Sequence, residues 1–326
     1  MDILNQVDFE NEPLIDTFVQ EEARVSASTS TAMSGSCPVI REEKTRPRGR
    51  PGVLKRLLHD KVALVCISYL GLLGICALFA PLIAPYDYKF QDLAHVRETS
   101  SSLHWFGTDQ LGRDIFSRIL YGARISLAIG ISVMLVETAV GVTLGLLSGY
   151  LGGWVETIVM RVADLTYAFP GLLLAILLVG MLGRDLVWLF AAFVLLGWPN
   201  IARMVRSQVL TLRERDYVHA SIVSGGGFGW IVRHHILPNC ASVIIISAST
   251  SVGGIMLAEA GLSFVGLGVQ PPYPSLGSMI SELAQLIKSR PLLMFFPSLT
   301  LSLAIMSLNL LGDALRDAFD PTISRQ

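Results

Sequence analysis

Six long apolar runs, at about 62–84, 125–147, 155–181, 186–201, 236–258 and 292–311, constrain this chain more than any other feature. An α-helix rises about 1.5 Å per residue and the hydrocarbon core of a bilayer is about 30 Å thick, so roughly 20 apolar residues cross it once. Hydrocarbon offers the backbone no hydrogen-bonding partner, so such segments cross as helices whose amides are satisfied internally. The expected fold class is all-α, a polytopic membrane protein with six transmembrane helices. Composition agrees, since only 16% of residues are charged, against about 25% in an ordinary soluble domain.

Charge sets the expected orientation. Arg46, Arg48, Arg50, Lys55, Arg56 and Lys61 precede the first run, and lysine and arginine cluster on the cytoplasmic side of spans. Six crossings then return the C-terminus to the cytoplasm and place 203–239 there, in a multi-pass protein. Segment 85–124 falls outside, although it carries Lys89, Arg97, Arg113, Arg118 and Arg124. The chain divides into a cytoplasmic tail, 1–53, and a membrane domain, 54–326. The tail is acidic and Ser/Thr-rich and is expected to be disordered, with Leu14, Ile15, Phe18 and Val19 spaced for one amphipathic turn. A net charge of −1 and the lack of a basic patch interleaved with aromatics give no case for nucleic acid. Cys37, Cys66, Cys76 and Cys240 have no metal-ligand spacing.

One stretch, 213–239, does not suit its surroundings. Arg213, Glu214, Arg215, Asp216, Arg233, His234 and His235 would each cost about 2.5–3.5 kcal/mol at a membrane centre if charged, so the segment lies in water. A helix over 212–224, a flexible break at Gly225-Gly226-Gly227 and a second short helix ended by Pro238 make a protruding elbow between spans, a handle for another protein. His234 and His235 are adjacent, and adjacent helical positions diverge, so no metal site is expected there or elsewhere.

In the outer segment, Leu111, Ile115, Ile119 and Leu120 have helical spacing and predict an amphipathic helix at the outer surface before the second span, with Gly107-Thr108-Asp109 as its turn and N-cap. It is either an interface cap or a docking shelf. Within the spans, Glu137, Glu259 and Asn309 are candidates for lining a path or for packing through hydrogen bonds. Arg161 and Asp164 are three apart and able to pair. Gly141 with Gly145, and Gly149 with Gly153, have the four-residue spacing of close helix contacts. Phe169-Pro170-Gly171 and Gly197-Trp198-Pro199 loosen the third and fourth spans, which is tolerated where neighbours or a cavity satisfy the backbone. No GxxxxGK[ST], GxSxG, HExxH or CxxC occurs and no catalytic set is recognisable, so the chain is read as a non-enzyme. A secondary transporter would need its own ion-binding residues and often repeats, of which only Glu137 is suggestive. A scaffold without transport is the third class.

The stretches FGTDQLGRDIFSRILYGARISL from Phe106, GLLSGYLGGWVETIVMRVADLTYAFPGLLLAI from Gly145, LAEAGLSFVGLGVQPPYPSLGSMI from Leu257 and LNLLGDALRDAFDP from Leu308 resemble the inner-membrane permease subunits of ATP-binding-cassette importers. The likeness is to the C-type subunit of the dipeptide, oligopeptide and nickel group, and runs from about 54 to 324. It implies a type I importer permease fold with a cytoplasmic coupling helix. The elbow resembles that family's EAA loop. Gly225 matches its glycine and His235-Ile236-Leu237-Pro238 its end, whereas His219-Ala220-Ser221 stands where the family has Glu-Ala-Ala. The resemblance thereby assigns Tyr217, His219, Ala220, Ser221, Gly225, His235 and Pro238 to contact with an ATPase, and Gly107, Thr108, Asp109, Gly112, Arg113 and Asp114 to the side facing a binding protein. Implied partners are a homologous B-type permease, two ATPase subunits, an extracytoplasmic binding protein and membrane lipid. ATP and Mg would be bound by the ATPases, with no cofactor in this chain. Peptide is the cargo expected, with nickel or glutathione as alternatives.

Overall fold

The structure is a computed structural model that describes residues 56–319; the expectations for tail 1–53, its amphipathic turn included, lie outside them. Among the described residues all regular structure is helical, apart from one isolated bridge between Thr108 and Asp114. Helix α1 (Lys61–Leu78) starts at Asp60, whose carboxylate accepts the Val62 N–H at 2.9 Å, and leads into the single turn α2 (Ala80–Ile83). An irregular segment precedes α3 (Ile115–Leu151); α4 (Gly153–Tyr167), α5 (Gly171–Leu182) and α6 (Leu186–Arg213) follow. The elbow holds α7 (Asp216–Val223) and α8 (Phe228–Ile231), and a π-helical turn, Val232–Ile236, feeds α9 (Leu237–Phe264). The chain closes with α10 (Leu276–Ala284) and α11 (Pro291–Phe319).

Five of the helices, counting Phe228–Phe264 as one, are long and apolar enough to cross a membrane. The sixth expected span is bent. Helices α4 and α5 meet at 88°, because Pro170 has no N–H to continue a helix and drives the residue before it out of the α region. The pair nevertheless traverses the molecule. Gly152 lies beside Arg213 at one end, whereas Arg184 and Asp185 share a cleft with Ile125 and Val269 at the other. The Arg56 guanidinium donates to the Ala318 carbonyl at 3.4 Å, bringing the two ends of the described chain together as an even number of crossings requires.

Helix α3 lies along α6 as the most extensive pairing in the structure, with α9 packed on α3 and α11, and α1 on α11. The sequence of α3 explains the closeness. A Cβ placed on Gly141 would stand 2.7 Å from the Ile201 Cβ, on Gly145 2.7 Å from the Ala202 carbonyl, and on Gly149 2.8 Å from the Val209 Cβ. The three glycines form one i, i+4 row that receives the β-branched ridge of α6, with Val205 beside Gly145. Gly153 does not extend this row. The chain turns at Gly152 (φ 66°) and Gly153 (φ 53°), and a Cβ on Gly153 would meet nothing within 4 Å.

Several boundaries differ from expectation, each for a tertiary reason. There is no separate amphipathic surface helix ahead of the second span; Ile115, Ile119 and Leu120 lie in the first turns of α3, buried under α10, where Ser126 Oγ accepts the Leu276 N–H at 3.1 Å, whereas Leu111 precedes the helix and is exposed. Nor is Thr108-Asp109 the N-cap, a position Asp114 takes by accepting the Ser117 N–H at 2.8 Å. Helix α6 continues well past residue 201, carrying Pro199 within it, and stops at Glu214, so the elbow helix is eight residues rather than 212–224. Pro238 ends no helix. It sits in the first turn of α9, where its missing N–H is harmless, and the Asn239 amide donates to the His235 carbonyl at 2.5 Å. Helix α10 was not expected at all; Ser275 and Ser278 close a capping box at its start.

Candidate functional site

A cavity of about 510 Å³ lies among α3, α5, α6 and α9. Leu172, Ala175, Phe193 and Ile255 supply apolar wall; Glu137, Asn200, Ser247, Thr250 and Ser251 supply polar groups; Tyr167 stands at one limit. Glu137 is 3% exposed, and its place depends on Gly197, because a Cβ there would fall 1.7 Å from its Oε2. Ser251 of α9 lines the same cavity, its hydroxyl donating to the Ala248 carbonyl at 3.0 Å. The cavity thus gathers a carboxylate, a carboxamide and three hydroxyls in an apolar chamber, each hydroxyl donating to a carbonyl of its own helix and keeping its oxygen as an acceptor. Glu259 and Asn309 are elsewhere. Glu259 accepts the Ser263 and Ser275 hydroxyls at 2.7 and 2.8 Å and ties α9 to the start of α10, leaving its Oε2 without a protein partner. Asn309 faces Gly253 between α11 and α9.

Below Tyr167 the cavity gives way to a polar cleft of about 500 Å³ lined by Glu156, Arg161, Asp164, Arg203 and Arg206. The expected Arg161–Asp164 pair is not what forms. Asp164 accepts from Arg203 at 2.6 Å, and the Arg203 guanidinium lies 4.4 Å from the Tyr167 ring centre. Arg206 binds Glu156 in the same way, from α6 to α4. A longer-range partner on α6 presents its guanidinium across the groove, whereas Arg161 lies along the cleft wall. Tyr167, Arg203 and Asp164 therefore make a polar collar between the chamber and the cleft.

The elbow is docked on α6 just beyond this collar. Val218, the one buried residue of α7, is fully enclosed in a cluster with Val205 and Val209 of α6 and Ile231, Ile236 and Cys240. Tyr217, His219 and Ala220 of the same helix are exposed and Ser221 is half-buried. Gly225 ends α7 with φ 84°, a conformation costly for any side chain, and its N–H donates to the Ile222 carbonyl at 2.9 Å. Gly226 donates to Ser221 at 2.9 Å, so the glycine run is a closed turn rather than a loose break. The His235 ring lies 5.9 Å from that of Tyr217, and His234 stacks on Trp230 at 3.8 Å. Ile222, Val223, Phe228 and Trp230 leave an apolar tip uncovered.

At the opposite end of α3 the other group of expected residues builds a platform. Asp109 caps the turn that follows it, accepting the Leu111 and Arg113 N–H groups at 2.8 and 3.0 Å, and pairs with both Arg113 and Arg118. Glu282 of α10 completes the set, meeting Arg113 at 2.7 Å and Arg118 at 2.8 Å. Neither Arg118 nor Glu282 was singled out from the sequence, since their pairing spans 164 residues. Gly107 and Gly112 have φ 81° and 73°, and a Cβ on Gly112 would overlap the Asp92 carbonyl. Asp114 Oδ1 is 3.0 Å from His104 Nδ1, and the Thr108 hydroxyl donates to the His95 carbonyl. Asp92 and His95 face each other at 2.8 Å. That hydrogen bond holds the Asp92 carboxyl below its usual range, helped by the Ala94 N–H, and pushes the His95 imidazole up. Asp92, His95 and His104 also come within ligating distance of one another, a grouping their sequence spacing did not disclose.

Residues 141–325 match the family described as binding-protein-dependent transport system inner membrane component, and residues 52–100 match the N-terminal TM domain of oligopeptide transport permease C. The glutathione transport system permease protein GsiD of Pectobacterium atrosepticum is 41% identical over 293 residues, 90% of this chain and 97% of the relative. The dipeptide transport system permease protein DppC of Alkalihalophilus pseudofirmus is 40% identical over 82% of this chain and 88% of its own. The oligopeptide transport system permease protein OppC of Bacillus subtilis is 38% identical over 83% and 88%. With one matched segment holding the collar, the elbow and the chamber lining other than Glu137, and the other the first span, the chain belongs to the family of binding-protein-dependent transport system inner membrane components.

Proposed function

We propose that this chain is one of two permease subunits that enclose a pathway for short peptides, delivered by a soluble binding protein at the platform and driven by two ATPase subunits that grip the elbows. The observation that carries this reading is the seating of Val218 among Val205 and Val209. Helix α6 forms the chamber wall at Phe193, Gly197 and Asn200, the collar at Arg203, and the seat of α7 further along. Displacing α7 therefore displaces the collar directly, and the wall through the continuous helix α6 across Pro199. A ligand can move such an equilibrium only through contacts that differ between two states. Nucleotide-dependent closure of a partner on Tyr217, His219, Ala220 and the apolar tip supplies them.

Peptide is favoured by the relatives named for dipeptide, oligopeptide and glutathione transport and by a chamber whose volume suits a small ligand. Glutathione, itself a tripeptide, is the second reading. The elbow end, with both described chain ends, is the cytoplasmic side, and outward apolar residues such as Val65, Leu72 and Leu78 of α1 face lipid. ATP and Mg belong to the ATPase subunits.

The test is purification of the full-length chain carrying Ala220→Cys from its native host, followed by disulfide cross-linking. The expected result is a second permease and an ATPase in stoichiometric amounts, with the ATPase cross-linked through residue 220. Uptake by this chain alone in vesicles, driven by an ion gradient without ATP, would contradict the proposal.

A further inference from the structure

The platform carries a group of metal-ligating side chains that neither the chamber nor the elbow uses. Asp92, His95 and His104 each offer a ligand atom, and the three atoms lie within 4.8 Å of one another. His95 Nδ1 and Asp92 Oδ2 are already 2.8 Å apart. Neighbouring ligands on a tetrahedral ion with bonds of about 2.0–2.1 Å stand roughly 3.4 Å apart, so a small rotation of the half-exposed pair closes the set around one ion.

His104 is prepared for this role. Its Nδ1 faces Asp114 Oδ1 at 3.0 Å, and since a carboxylate only accepts, Nδ1 carries the hydrogen and Nε2 keeps the lone pair. A carboxylate behind a histidine is the arrangement that orients metal-bound imidazoles. Asp114 is fixed in turn by capping α3 through its other oxygen, and the His104 ring is 5.0 Å from that of Tyr86. The backbone holds the two halves of the group in register, through the Thr108 hydroxyl on the His95 carbonyl and the Asp92 N–H on the Gly112 carbonyl at 3.1 Å. The access route is open, since the Asp92 and His95 side chains keep 30% and 41% of their exposure while His104 is buried behind them.

We infer that Asp92, His95 and His104 form a site for a divalent transition-metal ion of the zinc class, with water in the fourth position. Two imidazoles and one carboxylate suit such an ion, whereas calcium and magnesium prefer shells of oxygen. The bound ion staples residues 92–95 to the head of α3 and stiffens the face assigned to the binding protein.

The experiment titrates Zn²⁺ into the full-length chain, purified through a tag without histidine, for wild type and for His95→Ala, Asp92→Asn and a His234→Ala/His235→Ala control. Wild type and the control should each bind one more Zn²⁺ per chain than His95→Ala, and Asp92→Asn should weaken that site at least tenfold. Both test side chains are partly exposed, and Asp92→Asn keeps the shape of the residue, so it reads the site even where His95→Ala accumulates poorly. Equal Zn²⁺ stoichiometry and affinity in wild type, His95→Ala and Asp92→Asn would overturn the assignment, as would loss of the site in the control alone.

Discussion

Replacing Gly145 with alanine tests the α3–α6 contact on which the chamber depends. The new Cβ would stand 2.7 Å from the Ala202 carbonyl oxygen and 2.8 Å from the Val205 Cβ. Carbon atoms rest at about 3.5–4.0 Å, so the helices must part by roughly 0.7 Å or more. The first obstacle is backbone, so no side-chain rotation relieves it and α6 has to move as a unit. Overpacking of this kind costs about 1–3 kcal/mol, against a helix-propensity gain of up to about 1 kcal/mol for losing glycine. The propensity gain is shared by any helical glycine, so relative to an unhindered glycine the expected loss is the overpacking cost of about 1–3 kcal/mol, with Gly141→Ala and Gly149→Ala similar. One displacement of α6 accommodates all three methyls, so the triple variant should lose clearly less than the sum of the singles. Gly71, whose Cβ would meet nothing within 4 Å, is the control and should be neutral or slightly stabilising as alanine. Thermal or denaturant unfolding in detergent reads these differences. Gly145→Ala matching Gly71→Ala, or strict additivity in the triple variant, would refute the reasoning.

The platform and the chamber give further tests. Asp109→Asn leaves buried Arg118 and Arg113 sharing Glu282 alone and should cost about 3 kcal/mol or more in unfolding measurements; Glu282→Gln, at a more exposed carboxylate, should cost less, and the reverse order would contradict the network. Gly197→Ala drives a methyl into the Glu137 carboxylate and should cost about 1–3 kcal/mol, most of it recovered in Gly197→Ala/Glu137→Ala; an additive double variant would separate the two residues. Tyr217→Asp, on the exposed face of α7, should weaken ATPase co-purification without altering the amount of chain in the membrane. Unchanged co-purification would remove Tyr217 from that contact.

The spans were legible because each apolar run is a local property of about twenty residues, and the bend because Phe169-Pro170-Gly171 stands inside one. Gly141 and Gly145 announced a close contact, but nothing local to them names the receiving ridge of Ile201, Val205 and Val209 on α6. Asp164 has Arg161 within one turn, yet its partner is Arg203, 39 residues away and opposite it in the groove. Helix α10 escaped notice because nine residues are too few for a span and its burial comes from α9, α11 and α3. At the elbow the glycines and charges were legible. The docking of Val218 was not, since a single valine in a polar stretch carries its meaning only once α6 lies beneath it.

That docking is the centre of the account, and Val218→Asp tests it most directly. The substitution places a charge in a closed apolar cluster, so α7 should leave its seat on α6 while its exposed face stays available to an ATPase. Uptake and ATP hydrolysis should be measured together in vesicles containing the assembled transporter. The account predicts that hydrolysis persists while uptake per ATP falls at least tenfold; uptake per ATP equal to wild type would contradict it.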